Sequence, residues 1–173
     1  MKRKWILPAI CGLTICALPM YAGSAANTHS DQEFLNIAAQ ADMTTVHLGK
    51  LAQEKSSAEG IKDFGKKLVQ DHTHDYALLS ELANKTGESI PKGIDAQNDR
   101  EISHLDRYKG KTFDRQFLAA ETAAHEKLIK AFKEEAEHGN NPDIKAYASK
   151  TLPVIEGHLH QAEDLLKPGK HTA

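Results

Sequence analysis

Apolar and small residues recur at three- and four-residue intervals in four separate long stretches, and no stretch alternates as a half-buried strand does. The first stretch begins at Asp31, which can cap a helix start, and carries Phe34, Ile37, Ala38, Ala41, Leu48, Leu51 and Ala52 to an end near Lys55. The second spans about Ala58 to Thr86, with Ile61, Phe64, Leu68, Tyr76, Leu79, Leu82 and Ala83 on one face; Gly87 stops it. A third, about Thr112 to Glu137, presents Phe113, Phe117, Ala120, Ala124, Leu128, Ala131 and Phe132. The fourth starts at Pro142, a residue suited to a first helical position, and aligns Ile144, Ala148, Leu152, Ile155, Leu159, Ala162 and Leu166. Pro153 lies inside it and should kink the helix or remove one hydrogen bond, at about 3 kcal/mol unless relieved. The polar segment 87–114 is too long for a hairpin turn; its middle, Gln97 to Tyr108, predicts a short helix. The pattern predicts an all-α four-helix bundle whose middle pair of helices is joined by a long crossover.

The chain opens "MKRKWILPAICGLTICALPMYAGSAANTHS": a basic head, an apolar run from Trp5 to about Tyr21, then clustered small residues. That is the layout of a cleavable secretory leader, taken here as residues 1–26, with the bundle in 27–173 and its core in about 31–166. The run is shorter than the roughly 20 apolar residues of a membrane span and is broken by Pro8, Gly12 and Pro19. Ile15 before Cys16 and Ile10 before Cys11 stand where a lipoprotein signal wants a small residue. The expectation is a periplasmic or secreted protein with no integral membrane segment once the leader is removed. Both cysteines fall in the leader, so the mature chain has no disulfide and must be held by packing alone. The leader holds three positive charges and no negative one, so its loss takes the formal net charge from −2 to −5. No basic block survives to bind nucleic acid. All ten histidines lie in the mature part.

Some of those histidines turn inward at roughly 100° per residue. In "LVQDHTHDY", residues 68–76, His72 lies in line with Leu68 and Leu79, Asp75 lies near the interior stripe, and Asp71 and His74 point away. Glu121 shares a line with Phe117, Ala124 and Leu128, with His125 on its flank. His158 flanks the stripe of Thr151, Ile155 and Ala162, whereas His47 and His160 point outward. Thr45 is the polar member of the first helix's inward row. Each of these can be a core residue satisfied by a local hydrogen bond. Together, His72, His125 and His158, with Glu121 assisting, make a candidate site for a divalent transition metal, because neutral imidazole suits zinc, copper and iron. Such a site would release its ion as falling pH protonates the rings.

Carboxylate-bridged di-iron bundles use paired Glu-x-x-His motifs. The two spacings here, Glu101 to His104 and Glu135 to His138, fall in the crossover and at a helix end, so ferritin-type oxidation ranks last. No thiol nucleophile, phosphate loop or serine with an evident base points to catalysis, and no catalytic residues are assigned.

The stretches "DHTHDYALLSELANKTG", "TFDRQFLAAETAAHEKLIKAF" and "IKAYASKTLPVIEGHLHQAEDLL" resemble secreted bacterial ferritin-like proteins catalogued as a domain of unknown function and often labelled predicted outer-membrane proteins. The matching marks are Phe34 and "GKLA" at 49–52, Asp71 and His72, Phe113, Asp114 and His125, then Leu152, Pro153, His158 and Leu159. Members commonly carry a glutamate where this chain has Thr45, so a ligand supplied there would be lost. The resemblance implies a ferritin-like bundle in the cell envelope and no established reaction; without alternating strands the outer-membrane label does not mean a barrel. The first reading is an exported, non-catalytic binding protein or envelope-stress and fitness factor with no established cofactor and an unknown partner. A leftover apolar stripe could support a homodimer. The alternative is a metal-binding protein using the interior histidines.

Overall fold

The computed structural model describes residues 30–167; the leader expected over 1–26, its two cysteines and the tail beyond Lys167 lie outside the described residues. Five helices and no strand occur among the described residues: α1 (Asp31–Lys55), α2 (Glu59–Thr86), α3 (Ala96–Leu105), α4 (Gly110–His138) and α5 (Pro142–Leu166). The four long ones fall within about two residues of their expected bounds. None is long and apolar enough to cross a membrane.

The helix ends follow from local chemistry. Ser30, not Asp31, caps α1: its hydroxyl accepts from the Glu33 amide at 3.1 Å. Asp31 is used elsewhere, its carboxylate accepting the amides of Asn140 and Asn141 at 2.8 and 2.9 Å just ahead of α5. Sequence spacing could not show that partner, which is over a hundred residues away. Gly87 ends α2 in the left-handed region at φ 78°, where a side chain would be strained. Asn141 caps α5, and the helix continues through Pro153, which sits on its exposed side.

The buried side chains form two apolar halves. One holds Phe34, Leu35, Leu79, Leu128, Phe132 and Ile144; the other holds Leu48, Phe64, Leu68, Phe113, Phe117 and Leu118. The order of these residues along the chain gives the direction of each helix. α1 and α5 run from the first half to the second, and α2 and α4 run the other way. α1 packs along α2 and α4 along α5, while α1–α4 and α2–α5 contacts join the two hairpins. α2 and α4 are therefore parallel, and the chain between them must travel the length of the molecule. α1 holds this crossover. The Gln32 amide bonds the Ser89 carbonyl and amide at 2.6 and 3.2 Å, and Gln40 does the same for Gly93 and Asp95 at 2.9 and 3.0 Å.

Several inward residues differ from expectation. Leu35, Ala39 and Asp42 of α1 are buried, because α1 faces α2, α3 and α4 and its covered arc is wider than one stripe. Ala124 is exposed, lying on the lip of a groove between α1 and α4. Leu166, at the last turn of α5, is exposed as well.

At the α1–α2 crossing the backbones nearly touch. A Cβ on Gly49 would stand 2.6 Å from the Gly65 carbonyl oxygen, and one on Gly65 would stand 2.7 Å from the Gly49 carbonyl and from Cβ of Ala52. Backbone cannot yield as a flexible side chain can, so Gly65→Ala should destabilise the fold by about 1–3 kcal/mol, despite alanine's better helix propensity. Gly157→Ala, on the exposed side of α5 with nothing within 4 Å, should instead stabilise by up to about 1 kcal/mol. Urea denaturation of both variants checks the opposite signs.

Candidate metal centre

Between the two apolar halves, every long helix places a polar side chain at the same level. Asp42 comes from α1, His72 from α2, Glu121 and His125 from α4, and His158 from α5. All five are buried, with His72 at 3%, His125 and His158 at 1% and Glu121 at 0% relative exposure. The three imidazoles form a triangle: centroids of His72 and His158 are 5.2 Å apart, His125 and His158 5.5 Å, and His72 and His125 5.6 Å. One nitrogen from each ring lies within 4.8 Å of the other two.

Each ring is held by one nitrogen and leaves the other unpaired. Nδ1 of His72 is 2.8 Å from Oδ1 of Asp42, Nδ1 of His125 donates to the Glu121 carbonyl at 2.9 Å, and Nε2 of His158 is 2.7 Å from Oδ2 of Asp71. Nε2 of His72, Nε2 of His125 and Nδ1 of His158 are buried with no protein partner. A histidine kept for packing normally satisfies what it buries, since an unmet polar group costs about 1–3 kcal/mol. Three rings with a nitrogen of each this close together, and each ring oriented from behind, form a group that could hold a metal ion.

Electrostatics favour neutral rings. Burial lowers His72 to about 4, against the raising pull of the Asp75 and Asp71 carboxylates. Burial, with repulsion from the neighbouring imidazoles, lowers His125 to about 3 and His158 to about 4. Burial also pushes Asp42 well above the usual carboxylate range. Both members of the Asp42–His72 pair thus prefer their uncharged forms when no cation is near. Asp71 differs: its hydrogen bonds to Lys67 and His158 outweigh partial burial and hold it below the usual range.

The candidate residues divide as follows. His72, His125 and His158 come together. Glu121 does not join them: its Oε2 lies 3.4 Å from Nδ1 of His125, behind the ring, and both its oxygens are buried without hydrogen-bond partners. His74 is exposed. Asp71, read from the sequence as facing water, lies in the α2–α5 seam and grips His158 with 31% of its side chain exposed. Asp42 falls outside the row of α1 expected to face inward. Its signal was present, because Leu35, Asp42 and Gly49 lie seven residues apart and so nearly in line, and all three are buried. Thr45 is buried but is no part of the triangle. Of the Glu-x-x-His pairs, Glu101 and His104 are exposed in α3, and His138 is exposed beyond buried Glu135.

Burial raises Glu121 to about 8, with Glu101 adding to the effect. Folded protein therefore keeps a proton there that the unfolded chain, near its model value of 4.5, has released. The stability this group contributes is present below 4.5 and is lost as pH rises toward 8. Glu121→Gln has no such loss. In metal-free protein its stability relative to the parent should rise by about 1.4 kcal/mol per pH unit between pH ~5 and ~7.5. Urea unfolding at both ends of that range reads the difference.

The fold has counterparts among solved structures. A DUF305 fragment from Deinococcus radiodurans superposes with a TM-score of 0.69 at 14% identity, covering 79% of this chain and 94% of that one. CopM, in a Cu(II)-bound form, gives 0.67 at 12% identity, covering 80% and 96%. A predicted secreted DUF305 protein from Streptomyces coelicolor gives 0.66 at 16%, covering 82% and 94%. At these identities the likeness is one of fold. No curated protein matches the sequence. Residues 17–165 match the domain of unknown function DUF4142, and the chain belongs to that family.

Proposed function

We propose that this protein binds a transition-metal ion through His72, His125 and His158, without catalysis of its own. The observation that carries the reading is the convergence of three buried, neutral imidazoles, each with one nitrogen anchored and one unpaired. Metal–nitrogen bonds of about 2.1 Å in tetrahedral geometry put donors roughly 3.4 Å apart, so the rings need close in by only about an ångström or so. Asp42 and Asp71 would act as the carboxylates behind the ligands, holding ring orientation and raising the basicity of the free nitrogens. The Asp42 carboxyl would yield its proton once a cation sits across His72, since charge at the centre restores the value of a carboxylate there.

Three imidazoles without thiolate or ligating carboxylate suit copper and zinc better than magnesium or calcium, and the divalent affinity order places copper above zinc. That a protein of the same fold, CopM, has a Cu(II)-bound form agrees with copper. The wider reading is an exported protein, periplasmic or secreted, in which residues 1–26 are a cleaved leader and 27–173 a ferritin-like four-helix bundle. Its place would be in metal handling, envelope stress or fitness. The exposure of both Glu-x-x-His histidines speaks against di-iron oxidation.

Leaderless protein without a histidine tag should take up about one equivalent of copper or zinc. At ligand about 100-fold above Kd, binding adds about 2.7 kcal/mol, or a Tm rise on the order of 5–10 °C. His72→Ala should abolish the rise, whereas His74→Ala should leave it; equal losses would mean capture at the surface. The acid dependence adds a second check. With ring values of about 3 to 4, protons compete only well below the ordinary histidine range. Loaded protein should keep its ion at pH ~5.5, where an exposed histidine site near 6.5 is largely protonated. Metal retained after dialysis across that range measures it.

A further inference from the structure

The centre is buried, so an ion needs a way in. Among the described residues, cavities approach it from three sides, and they are not equivalent. The largest of them, about 860 Å³ between α1 and α4, reaches one of the three rings, His125, beside Glu121. A second, about 370 Å³ under the crossover, also reaches a single ring, His72, beside Asp42. The third, about 490 Å³ between α2 and α5, is lined by two of the three rings, His72 and His158, whose free nitrogens are otherwise unpartnered.

The walls of this third groove suit a cation. His74, Asp71 and Asp75 stand along α2, three side chains that can replace hydration water one at a time. Facing them from α5 are Tyr147, Lys150 and Thr151; the hydroxyl of Tyr147 donates to Asp75 at 2.6 Å. Asp71 is the only one of the groups anchoring the rings that is exposed to a substantial degree, and its ion pair with Lys67 lies on the surface. Leu78 and Val154, two of the three exposed large apolar residues among those described, also line this groove. A groove with donors along its length and two of the three rings in its wall suits an entry path, whereas each of the other two cavities reaches a single ring.

Resting on the metal-binding reading above, we propose that the ion enters and leaves through the α2–α5 groove, with His74 and Asp75 as a transient loading position and His158 as the inner door. His74 thereby gains a role in rate that it does not have in affinity.

The test uses leaderless protein and zinc alone. Uptake is followed by stopped flow as zinc leaves a fluorescent chelator, and release by the reverse transfer. Val154→Trp narrows the groove from an exposed position and should slow uptake and release together by about tenfold or more, with Kd changed less than threefold. Leu78→Trp does the same from the opposite helix and serves if the first variant is misfolded by circular dichroism. His74→Ala should slow uptake severalfold at unchanged Kd. Ala124→Trp, on the lip of the α1–α4 groove, should leave both rates as they were. Rates indifferent to both groove variants, or slowed by Ala124→Trp instead, would overturn the route while leaving the centre intact. A parent protein that binds no zinc would overturn the centre and the route with it.

Discussion

A layer of imidazoles and carboxyl groups cuts the interior in two, and the architecture has to keep that layer dry and in register. The apolar halves above and below it exclude water. The hydrogen bonds from Asp42, Asp71 and the Glu121 carbonyl fix the rings within it. Burying such groups opposes folding, because the unpaired nitrogens and the Glu121 oxygens each forgo hydration. The two apolar clusters, with Phe34 against Phe132 at 4.8 Å in one and Phe113 stacked on Phe117 at 5.6 Å in the other, must supply the surplus that tolerates it. The described residues hold no cysteine, so no disulfide among them helps.

The four long helices were legible in the sequence because their periodicity is strong and their ends carry residues with one obvious use, such as Gly87 and Pro142. The inward histidines were legible for the same reason: His72 lies in line with Leu68 and Leu79, all three of them buried. What periodicity cannot supply is the neighbour. Asp71 reads as solvated because a single-helix projection has no α5 in it, and Asp42 falls outside the expected inward row because α1 buries a wider arc than one stripe. Glu121 was correctly placed inside the protein, yet its level on α4 puts its carboxyl behind His125 rather than beside it. An angular reading gives direction around a helix; it does not say on which side of a neighbouring ring a side chain will end.

The close crossing at Gly49 and Gly65 bears on the same layer. It draws α1 and α2 together about two turns from Asp42 and His72, so the hydrogen bond between them is set by backbone contact as well as by side-chain choice. The clasp of Gln32 and Gln40 on the crossover serves the other edge of α1. Both arrangements make α1 the rigid wall against which the two hairpins are positioned.

Because α2 and α4 run parallel, the triangle draws on both hairpins: His72 belongs to the first, while His125 and His158 belong to the second. The rings are separated by 53 and 33 residues along the chain. Neither hairpin holds the set alone, and an extended polypeptide holds nothing resembling it. A chain that crosses a membrane unfolded would thus carry no such triangle, which comes into being only in the compartment where the two hairpins finally dock.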